Sequence, residues 1–270
     1  MDKDITVIIT LYKTPDYRLT SLNQYKNYKV LIFEQSSNKN LKKRIESNSK
    51  IKFKYYFSKE NIGLSKATNF LLSKVKTKYL LFTQADIKID NNSIQNLKKG
   101  FKSRKDIIFA GPVFLKKNKI IKLKKNYRFK KKLNAACMLC DTEKLKKIGF
   151  FDEDFFLFWE DIYLMRKINL SKLKMVEVFN AHAIHYGGES SIKNYKINFI
   201  RNLNFKYGEL LFDFKIKKFR NLKMIRQIIQ NITYLFLNLL FFNKEKLLNN
   251  ISNILGIFKF IFFYLKKIIR

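Results

Sequence analysis

The chain has 270 residues, of which 56 are Lys or Arg and 21 are Asp or Glu, and its formal net charge is +35. Hydrophobic residues make up 47% of the chain, enough to bury the core of one large domain, or of one domain with an appendage. The low content of proline (2) and glycine (8) excludes a Pro/Gly-rich linker, and we find no internal repeat and expect no signal peptide.

In the first half, short β-rich segments alternate with helix-like segments. The pattern predicts strands at residues 6–10, 29–33, 52–57 and 79–83, and helices at 16–24, 39–47 and 64–75. A β-α-β-α-β-α-β order is typical of an α/β fold with a parallel, doubly wound sheet. Ligands of such sheets bind in the crevice beyond the carboxyl ends of the strands. Polar segments follow the predicted strands at residues 10–12, 34–37, 58–63 and 84–86, so we expect a binding site there.

The second half is predicted to be mixed. Residues 107–113, 120–123 and 134–139 read as strands, and residues 159–169 read as a helix with Phe158, Ile162, Met165 and Ile168 on one apolar face. A C-x-x-C pair, Cys137 and Cys140, lies in an apolar stretch without the further ligands that a zinc site needs. We therefore expect both cysteines to be small, buried strand residues.

The segment 152–161, DEDFFLFWED, contains five of the 21 acidic residues and no Lys or Arg. Its four aromatic residues would raise the pKa of an unpaired carboxylate. A general base or a cation ligand is built in such surroundings. The alternative is an acidic turn that neutralises nearby lysines.

Four blocks in order carry a resemblance to a known family: TVIITLYK, NIGLSKATN, LLFTQADIKID, and GFFDEDFFLFWEDIYLMRK followed by HYGGESS. They resemble the family 2 glycosyltransferases, especially the rhamnosyltransferase-like members, over residues 5–191. The resemblance implies a GT-A fold, in which a Rossmann-like nucleotide-binding half with a mixed central sheet joins an acceptor-binding half. It also implies a nucleotide-sugar donor and a divalent cation, Mg²⁺ or Mn²⁺.

By this resemblance Asp86, at the end of an apolar strand, and His185 are the metal ligands, with His185 preferred to His182. The family signature is often Asp-x-Asp, whereas Lys88 occupies its third position here, so metal binding in that loop depends on Asp86; Asp90 is too far along the chain to substitute. Alternatively, Asp86 caps the helix or turn before residues 91–100.

The resemblance also implies the residues that bind the donor. Thr10 and Tyr12 would lie against the base or ribose, and Glu34 stands where the family usually has Asp. Asn61 and Gly63 would approach the base, with a loop-to-helix cap as the structural alternative. Asp86 would also bind the donor, because the cation that it holds contacts the diphosphate.

An inverting transfer needs a carboxylate that takes the proton of the acceptor hydroxyl. We assign this role to Asp161, and expect the adjacent Glu160 to orient the acceptor. In a helix the two side chains diverge by about 100°, so they do not face the same atom. Asp152 and Glu153 are expected to fix the loop through backbone hydrogen bonds.

Residues 214–270 hold twelve Lys/Arg and one acid, Glu245, and a second basic block at 116–132 holds ten Lys/Arg. Apolar residues recur at helical spacing, namely Ile216, Phe219, Leu222, Ile225, Ile229 and Ile232, then Ile251, Leu255, Phe258, Phe262 and Leu265. Uninterrupted apolar runs are far shorter than the roughly 20 residues of a membrane span. We predict a catalytic domain at 1–213 and, at 214–270, amphipathic helices that lie in an anionic membrane interface. Packing of these helices on the catalytic domain is the alternative.

Two main classes of function compete. One is a transferase on the inner, cytoplasmic face of the cytoplasmic membrane, with dTDP-rhamnose or a UDP-sugar as donor and a lipid-linked or cell-envelope glycan as acceptor. The other is a basic nucleic-acid-binding protein, and a glycosidase is a weaker third class. The acidic segment 152–161 and the lack of a helix-turn-helix, zinc-finger or RNP signature favour the transferase, so no nucleic-acid partner is expected.

Overall fold

The computed structural model describes residues 2–269 except 37, 39, 116–125 and 193. The strand predicted at 120–123 and most of the basic block at 116–132 lie outside the described residues. By packing, the chain divides into two units. Unit 1 comprises Met1–Phe151 and Leu164–Ile192, and unit 2 comprises Asp152–Tyr163 and Lys193–Arg270. The division at residue 213, which lies within a helix, stays a prediction.

Unit 1 is built around a mixed sheet. Its strands are β1 (Ile5–Leu11), β2 (Lys29–Glu34), β3 (Phe53–Phe57), β4 (Tyr79–Thr83), β5 (Ile87–Ile89), β6 (Ile107–Phe114), β7 (Tyr127–Phe129), β8 (Cys137–Asp141) and β9 (Lys174–His185). Its helices are α1 (Asp16–Leu19), α2 (Leu41–Asn48), α3 (Leu64–Ser73), α4 (Asn91–Gly100), α5 (Thr142–Ile148) and α6 (Glu160–Asn169), whose first turn belongs to unit 2.

The sheet order is β3-β2-β1-β4-β8-β6-β9-β5, and β7 pairs with β9. The first four strands are parallel, which confirms the prediction for the first half, whereas β8 runs antiparallel to both β4 and β6. The predicted helix at 16–24 is only a four-residue helix followed by a 3₁₀ turn, Thr20–Tyr25. The strand predicted from 134 begins at Cys137, because Asn134 accepts a hydrogen bond from the Ala136 N–H in a tight turn.

Alternation along the strands fills both faces of the sheet. In β1, Ile5, Val7 and Ile9 pack into one buried cluster and Ile8 into the other. Cys137 and Cys140 are fully buried in β8, as predicted, and burial raises the pKa of the Cys137 thiol to about 12. The cysteines therefore act as core residues.

The helix α6 differs slightly from its prediction. Leu164, Met165 and Ile168 are its buried apolar residues, whereas Ile162 is only half-buried. Phe158 precedes the helix and has a left-handed backbone, so it is not part of the predicted face.

Unit 2 contains the acidic segment 152–161 and the helices α7 (Tyr195–Lys215), α8 (Asn221–Leu240) and α9 (Lys244–Ile268). The buried core consists of Phe155, Tyr207, Leu210, Leu211, Ile257 and Phe260. Gly256 lets α9 approach α7 closely, since a Cβ there would lie 2.5 Å from the Leu203 carbonyl oxygen. Amides join α8 to α9: Asn238 and Asn253 donate to Asn250 and Asn231, respectively.

Within the described residues, α9 has the length and composition to cross a membrane, although core helices of water-soluble proteins can meet the same criterion. The sequence predicted an interfacial helix here but not its capacity to span a membrane, because only uninterrupted apolar runs were counted. In α9, Asn, Ser and Lys residues interrupt a mainly apolar sequence.

Candidate active site

The carboxyl ends of the parallel strands bring the predicted donor residues to one edge of the sheet in unit 1. Leu11 lies beside Glu34, and Glu34 lies beside Phe57 on the next strand. Thr10 is the penultimate residue of β1 and Tyr12 follows its end; both are half-buried. The register of the strands thus places these residues at the crevice where ligands of doubly wound sheets bind.

Glu34 is the last residue of β2 and is buried. Its Oε1 accepts hydrogen bonds from the backbone N–H and the hydroxyl of Ser36. Its Oε2 is also buried, and no described residue provides a hydrogen-bond partner for it. A buried acceptor without a partner is uncommon in proteins, so this oxygen is available to a ligand with an N–H or O–H group.

Gln35 belongs to the polar segment 34–37, but the sequence did not predict its contact. Gln35 links the second and third polar segments. The side chain is buried, and its Oε1 accepts a 3.1 Å hydrogen bond from the Ile62 backbone N–H. Asn61 accepts from the Gly63 N–H at 3.0 Å, and Gly63 has φ +88° immediately before α3. Gly63 therefore forms the loop-to-helix cap that was the alternative to a role in binding the base. Gln35 holds this loop beside Glu34.

Asp86 and His185 are brought together, as predicted. Asp86 is buried behind β4, and its Oδ2 lies 3.5 Å from His185 Nε2 and accepts from the Glu189 N–H at 3.2 Å. Burial acts to raise the pKa of Asp86, but the His185 imidazole and backbone N–H groups outweigh it, and the pKa lies below its usual value. The Asp86 Oδ1 is buried, and the described residues supply no partner for it.

The neighbouring candidates have other roles. The alternative that Asp86 caps a helix is wrong, because the side chain of Asp90 is the one that caps α4, accepting from the Ser93 N–H at 2.6 Å. Lys88 is exposed on β5. His182 sits three residues before His185 on β9, and its backbone N–H donates to the Ser93 hydroxyl.

A segment after β9 folds over Asp86, and only its sequence GGESS had hinted at a role. The Tyr186 N–H donates to the Asp86 carbonyl, and residues 187–188, both glycine, have φ +55° and +71°. Arg18 is buried, forms an ion pair with Glu189, and stacks 4.2 Å from the Tyr186 ring centroid. Left-handed backbone favours glycine, so this tight return of the chain explains both glycines.

The donor set at Asp86 fits a hard divalent cation that takes most of its ligands from elsewhere. No group of three or more His, Cys, Asp or Glu side chains converges within the described part of the chain. Mg²⁺ and Mn²⁺ are commonly held by one or two protein ligands together with water and phosphate oxygens. The buried, unpaired Oδ1 of Asp86 and the adjacent His185 imidazole match that pattern.

In unit 2, the predicted catalytic pair begins α6. Glu160 is buried, and its Oε2 has no hydrogen-bond partner among the described residues. Burial, and then the charge of Asp161, raises the pKa of Glu160 to about 8. Asp161 is half-buried, and its Oδ1 accepts from the Ile162 N–H at 2.8 Å. One carboxyl group is thus kept largely protonated at neutral pH beside another that is partly open to solvent.

The backbone immediately before this pair is strained. Phe158 and Trp159 have φ +68° and +72°, which non-glycine residues rarely adopt. The Trp159 indole N–H donates to the Phe205 carbonyl at 3.1 Å. At Gly208 a Cβ would lie 2.8 Å from Trp159 Cδ1. The absence of a side chain at Gly208 therefore lets α7 hold this conformation, which directs the start of α6.

The two interpretations of the acidic segment apply to its two ends. The Asp152 side chain accepts from the Asp154 N–H, as expected for a loop-fixing residue, and both aspartates form ion pairs with Lys215 at 2.7 and 2.6 Å. The first end is therefore an acidic turn that neutralises a lysine. At the second end, Glu160 is buried and its pKa is raised, which agrees with the general-base hypothesis; the catalytic roles of Glu160 and Asp161 stay a prediction.

Comparison with solved structures identifies a common fold. S. aureus TarS residues 1–349 in complex with UDP-GlcNAc is 13% identical, with a TM-score of 0.55 over 95% of this chain and 91% of that one. The mannosyltransferase PcManGT of Pyrobaculum calidifontis with GDP-Man and Mn²⁺ is 12% identical, with a TM-score of 0.57 over 81% and 65%. GalNAc-T7 with UDP, GalNAc and Mn²⁺ is 14% identical, with a TM-score of 0.54 over 76% and 47%.

This chain therefore spans about half of the GalNAc-T7 chain and about two thirds of PcManGT. No curated protein sequence is significantly similar to it. These neighbours are glycosyltransferases, and the shared architecture is the GT-A fold that the resemblance implied. The sequence profile described as glycosyl transferase family 2 matches residues 6–163, more than half of the chain. The chain belongs to glycosyl transferase family 2.

Proposed function

We propose that this glycosyltransferase takes a sugar from a nucleotide-sugar donor and transfers it, with inversion, to a lipid-linked or cell-envelope glycan on the inner face of the cytoplasmic membrane. The observation that carries the proposal is the bonding of Glu34 and Asp86, which lie at the carboxyl ends of β2 and β4. Each of these carboxylates has one bonded oxygen and one buried oxygen without a partner among the described residues. Such groups are satisfied when a ligand binds.

In this proposal, one group of residues binds the base or ribose of the donor and a second group binds its diphosphate. Glu34 accepts from the base or ribose, while Thr10, Tyr12, Asn61 and Gly63 line the same crevice. Asp86 and His185 would hold a Mg²⁺ or Mn²⁺ ion, which supplies charge stabilisation for the diphosphate leaving group.

The donor that we favour is dTDP-rhamnose, because the sequence blocks most resemble rhamnosyltransferases. A UDP-sugar is the second candidate, since TarS and GalNAc-T7 were solved with UDP or UDP-GlcNAc. A panel of dTDP-, UDP- and GDP-sugars, assayed for release of the nucleoside diphosphate with Mn²⁺ and with excess chelator, tests the proposal. Release from one donor that depends on the metal supports it. Absence of release from the whole panel would contradict it.

Asp161 is the proposed general base. It takes the proton of the acceptor hydroxyl as that oxygen attacks the anomeric carbon from the face opposite the nucleotide. Glu160, with its pKa near 8, is mostly protonated at neutral pH and therefore suits donation of a hydrogen bond that orients the acceptor.

The helices of unit 2 support the membrane part of the proposal. Their predicted apolar positions are largely exposed, among them Leu222, Ile225, Ile229, Leu255, Phe258 and Phe262. A different set on α9, including Ile257 and Phe260, fills the core. The helix α9 is thus apolar on two faces, and a soluble protein rarely exposes so large an apolar surface. The basic residues nearby would add attraction to an anionic leaflet.

Point substitutions test membrane binding better than truncation, because removal of residues 216–270 would take Ile257 and Phe260 out of the core. Phe258→Asp with Phe262→Asp changes only exposed side chains and should release the protein from anionic liposomes. Leu170→Asp, on an exposed residue of unit 1, is the matched control and should leave liposome binding unchanged. Equal sedimentation of the double variant and the intact protein would place the binding surface elsewhere.

A further inference from the structure

Among the cations of unit 2 that form no ion pair within the described residues, Lys259 and Arg201 lie over aromatic rings of the acidic segment 152–161. Lys206, Lys215 and Lys223 each form an ion pair with an acid of the same unit. Within the described residues, Lys259 and Arg201 form none; the Lys259 ammonium instead donates to the Asn204 side-chain oxygen at 2.8 Å. Positive charge that is held in place without a counter-charge is typical of an anion site.

Aromatic rings hold both cations against one short segment. The Lys259 ammonium lies 4.5 Å from the Tyr207 ring centroid and 5.2 Å from that of Phe156. The Arg201 guanidinium lies 5.5 Å from the Phe158 centroid. Phe156 and Phe158 lie four and two residues before Glu160, which is proposed to orient the acceptor. The two cations therefore lie beside the chain segment that leads to Glu160 and the proposed base Asp161.

The position of Lys259 on α9 indicates what kind of anion fits. Leu255 and Phe262 are four residues before and three residues after Lys259, hence its neighbours on the helix surface, and both are exposed. On the other side, Gly256 and Phe260 pack into unit 2. Lys259 therefore lies between an exposed apolar strip and the core. Burial lowers the pKa of Lys259, as expected for an ammonium that is only partly solvated.

We propose that Arg201 and Lys259 form a binding site for the phosphate headgroup of a lipid whose acyl or other apolar chain lies along the exposed strip of Leu255, Phe258 and Phe262. The inference rests on the proposed function and refines it, because it makes the acceptor a lipid phosphate or diphosphate. Arg and Lys are the side chains that bind phosphate most effectively, and Asn204 and Tyr207 hold Lys259 in position.

The test separates a headgroup site from general attraction to an anionic surface. Binding of the full chain is measured on phosphatidylcholine vesicles that carry either phosphatidic acid, a terminal phosphate, or phosphatidylglycerol, a phosphodiester, adjusted to the same zeta potential. We expect binding to phosphatidic acid to be stronger by on the order of 10-fold, the effect of one charge-assisted hydrogen bond or more. Arg201→Gln with Lys259→Gln should abolish the preference.

Lys266→Gln with Lys267→Gln removes the same charge from exposed positions of α9 and should lower binding to both vesicles equally. Lys259→Arg keeps a cation at this position and should retain part of the preference that Lys259→Gln loses. Thermal unfolding checks that each variant is folded. No preference for phosphatidic acid in the wild-type chain, a preference that survives in the Arg201/Lys259 variant, or loss of the preference in the Lys266/Lys267 variant would overturn the proposal.

Inorganic phosphate distinguishes a lipid headgroup from a free anion. If inorganic phosphate binds the wild-type chain as tightly as the vesicles do, and the Arg201/Lys259 variant does not bind it, the site serves a soluble phosphate and the lipid assignment is wrong. The vesicle assay contains no nucleotide sugar. A donor panel without activity would therefore contradict the proposed function, whereas the headgroup preference would still be measurable.

Discussion

The two units use polar and apolar residues in opposite ways. In unit 1, strand residues alternate between two buried clusters, and polar side chains collect at the strand ends, where Glu34, Gln35 and Asp86 bond to neighbouring backbone N–H groups. In unit 2, amides such as Asn231 and Asn250 are buried between helices while Phe241 and Phe242 are exposed, Phe242 at 93%.

The proposed function explains this difference by different surroundings for the two units. A sheet with buried apolar faces and a polar edge suits a domain in water that binds a polar ligand. Helices with a packed apolar face and a second, exposed apolar face suit the membrane contact that we propose. In the proposed function, donor and metal binding belong to unit 1, and proton transfer and acceptor binding belong to unit 2. Variants in the two units should then fail in different ways.

The largest effect is expected for Asp161→Asn. The amide preserves the shape of the side chain but cannot accept a proton, so transfer should fall by about 10²–10⁴-fold while donor affinity changes no more than a few-fold. Steady-state kinetics with isothermal titration of the donor would measure both quantities. Glu245→Gln neutralises an exposed acid outside this segment and should change neither. Near-normal turnover of the Asp161 variant would move the base to Glu160.

In unit 1, Asp86→Asn and His185→Ala should act on metal and donor binding, which Asp161→Asn leaves nearly unchanged. Both changes remove a proposed ligand of the cation, so we expect the half-saturating Mn²⁺ concentration to rise by about 10–100-fold and donor binding to weaken. Titration of activity with Mn²⁺ is the measurement. Asp90→Asn is the matched control, because asparagine also caps helices and α4 should remain intact. Unchanged activity in excess chelator would show that cations of the protein stabilise the leaving group instead.

Much of unit 1 was predictable because its signals are local. Short β-rich runs predicted β1 to β4, and the polar segments at the strand ends included Glu34 and Asp86. The bond between Asp86 and the Glu189 N–H was not predictable, because the residues are 103 positions apart and depend on how the sheet folds. The same holds for Gln35 with Ile62, and for Gly208, whose role needs the positions of Phe158 and Trp159.

A third prediction concerns the pH dependence of stability. The pKa of Glu160 is about 8 in the folded chain and near 4.5 when exposed, so the folded state binds one more proton between these values. Its contribution to stability is therefore full below about pH 4.5 and is lost as the pH rises towards 8, with a slope of at most about 1.4 kcal/mol per pH unit. Urea unfolding from pH 5 to 8 would measure it.

Glu160→Gln mimics the protonated acid and should flatten this dependence and make the protein more stable at pH 8 than the unmodified chain. Glu245→Gln, at an exposed acid of α9, should leave the slope as it is. A slope that is unchanged in the Glu160 variant would mean that this carboxyl group is ionised in the folded protein, and the contrast between its surroundings and those of Asp86 would fail.

The smallest effect is expected from Gly208→Ala. In most helices this change stabilises by about 0.5–1 kcal/mol, because alanine restricts the unfolded chain. Here the added Cβ would lie 2.8 Å from Trp159 Cδ1 and 3.1 Å from the Phe158 carbonyl oxygen. Relief of that overlap must displace either α7 or Phe158 and Trp159, the two residues with left-handed backbone before Glu160. We therefore expect a loss of about 1–3 kcal/mol in the free energy of unfolding.

The sign of the effect is what tests the argument. Asn198→Ala, at an exposed position of the same helix, should be neutral or slightly stabilising, whereas Gly208→Ala should destabilise and also lower turnover without changing the Mn²⁺ requirement. Indole fluorescence reports the displacement directly, because Trp159 is the single tryptophan of the chain. If Gly208→Ala stabilises the protein and leaves the fluorescence unchanged, the strained pair does not depend on α7, and the acidic segment holds its own conformation.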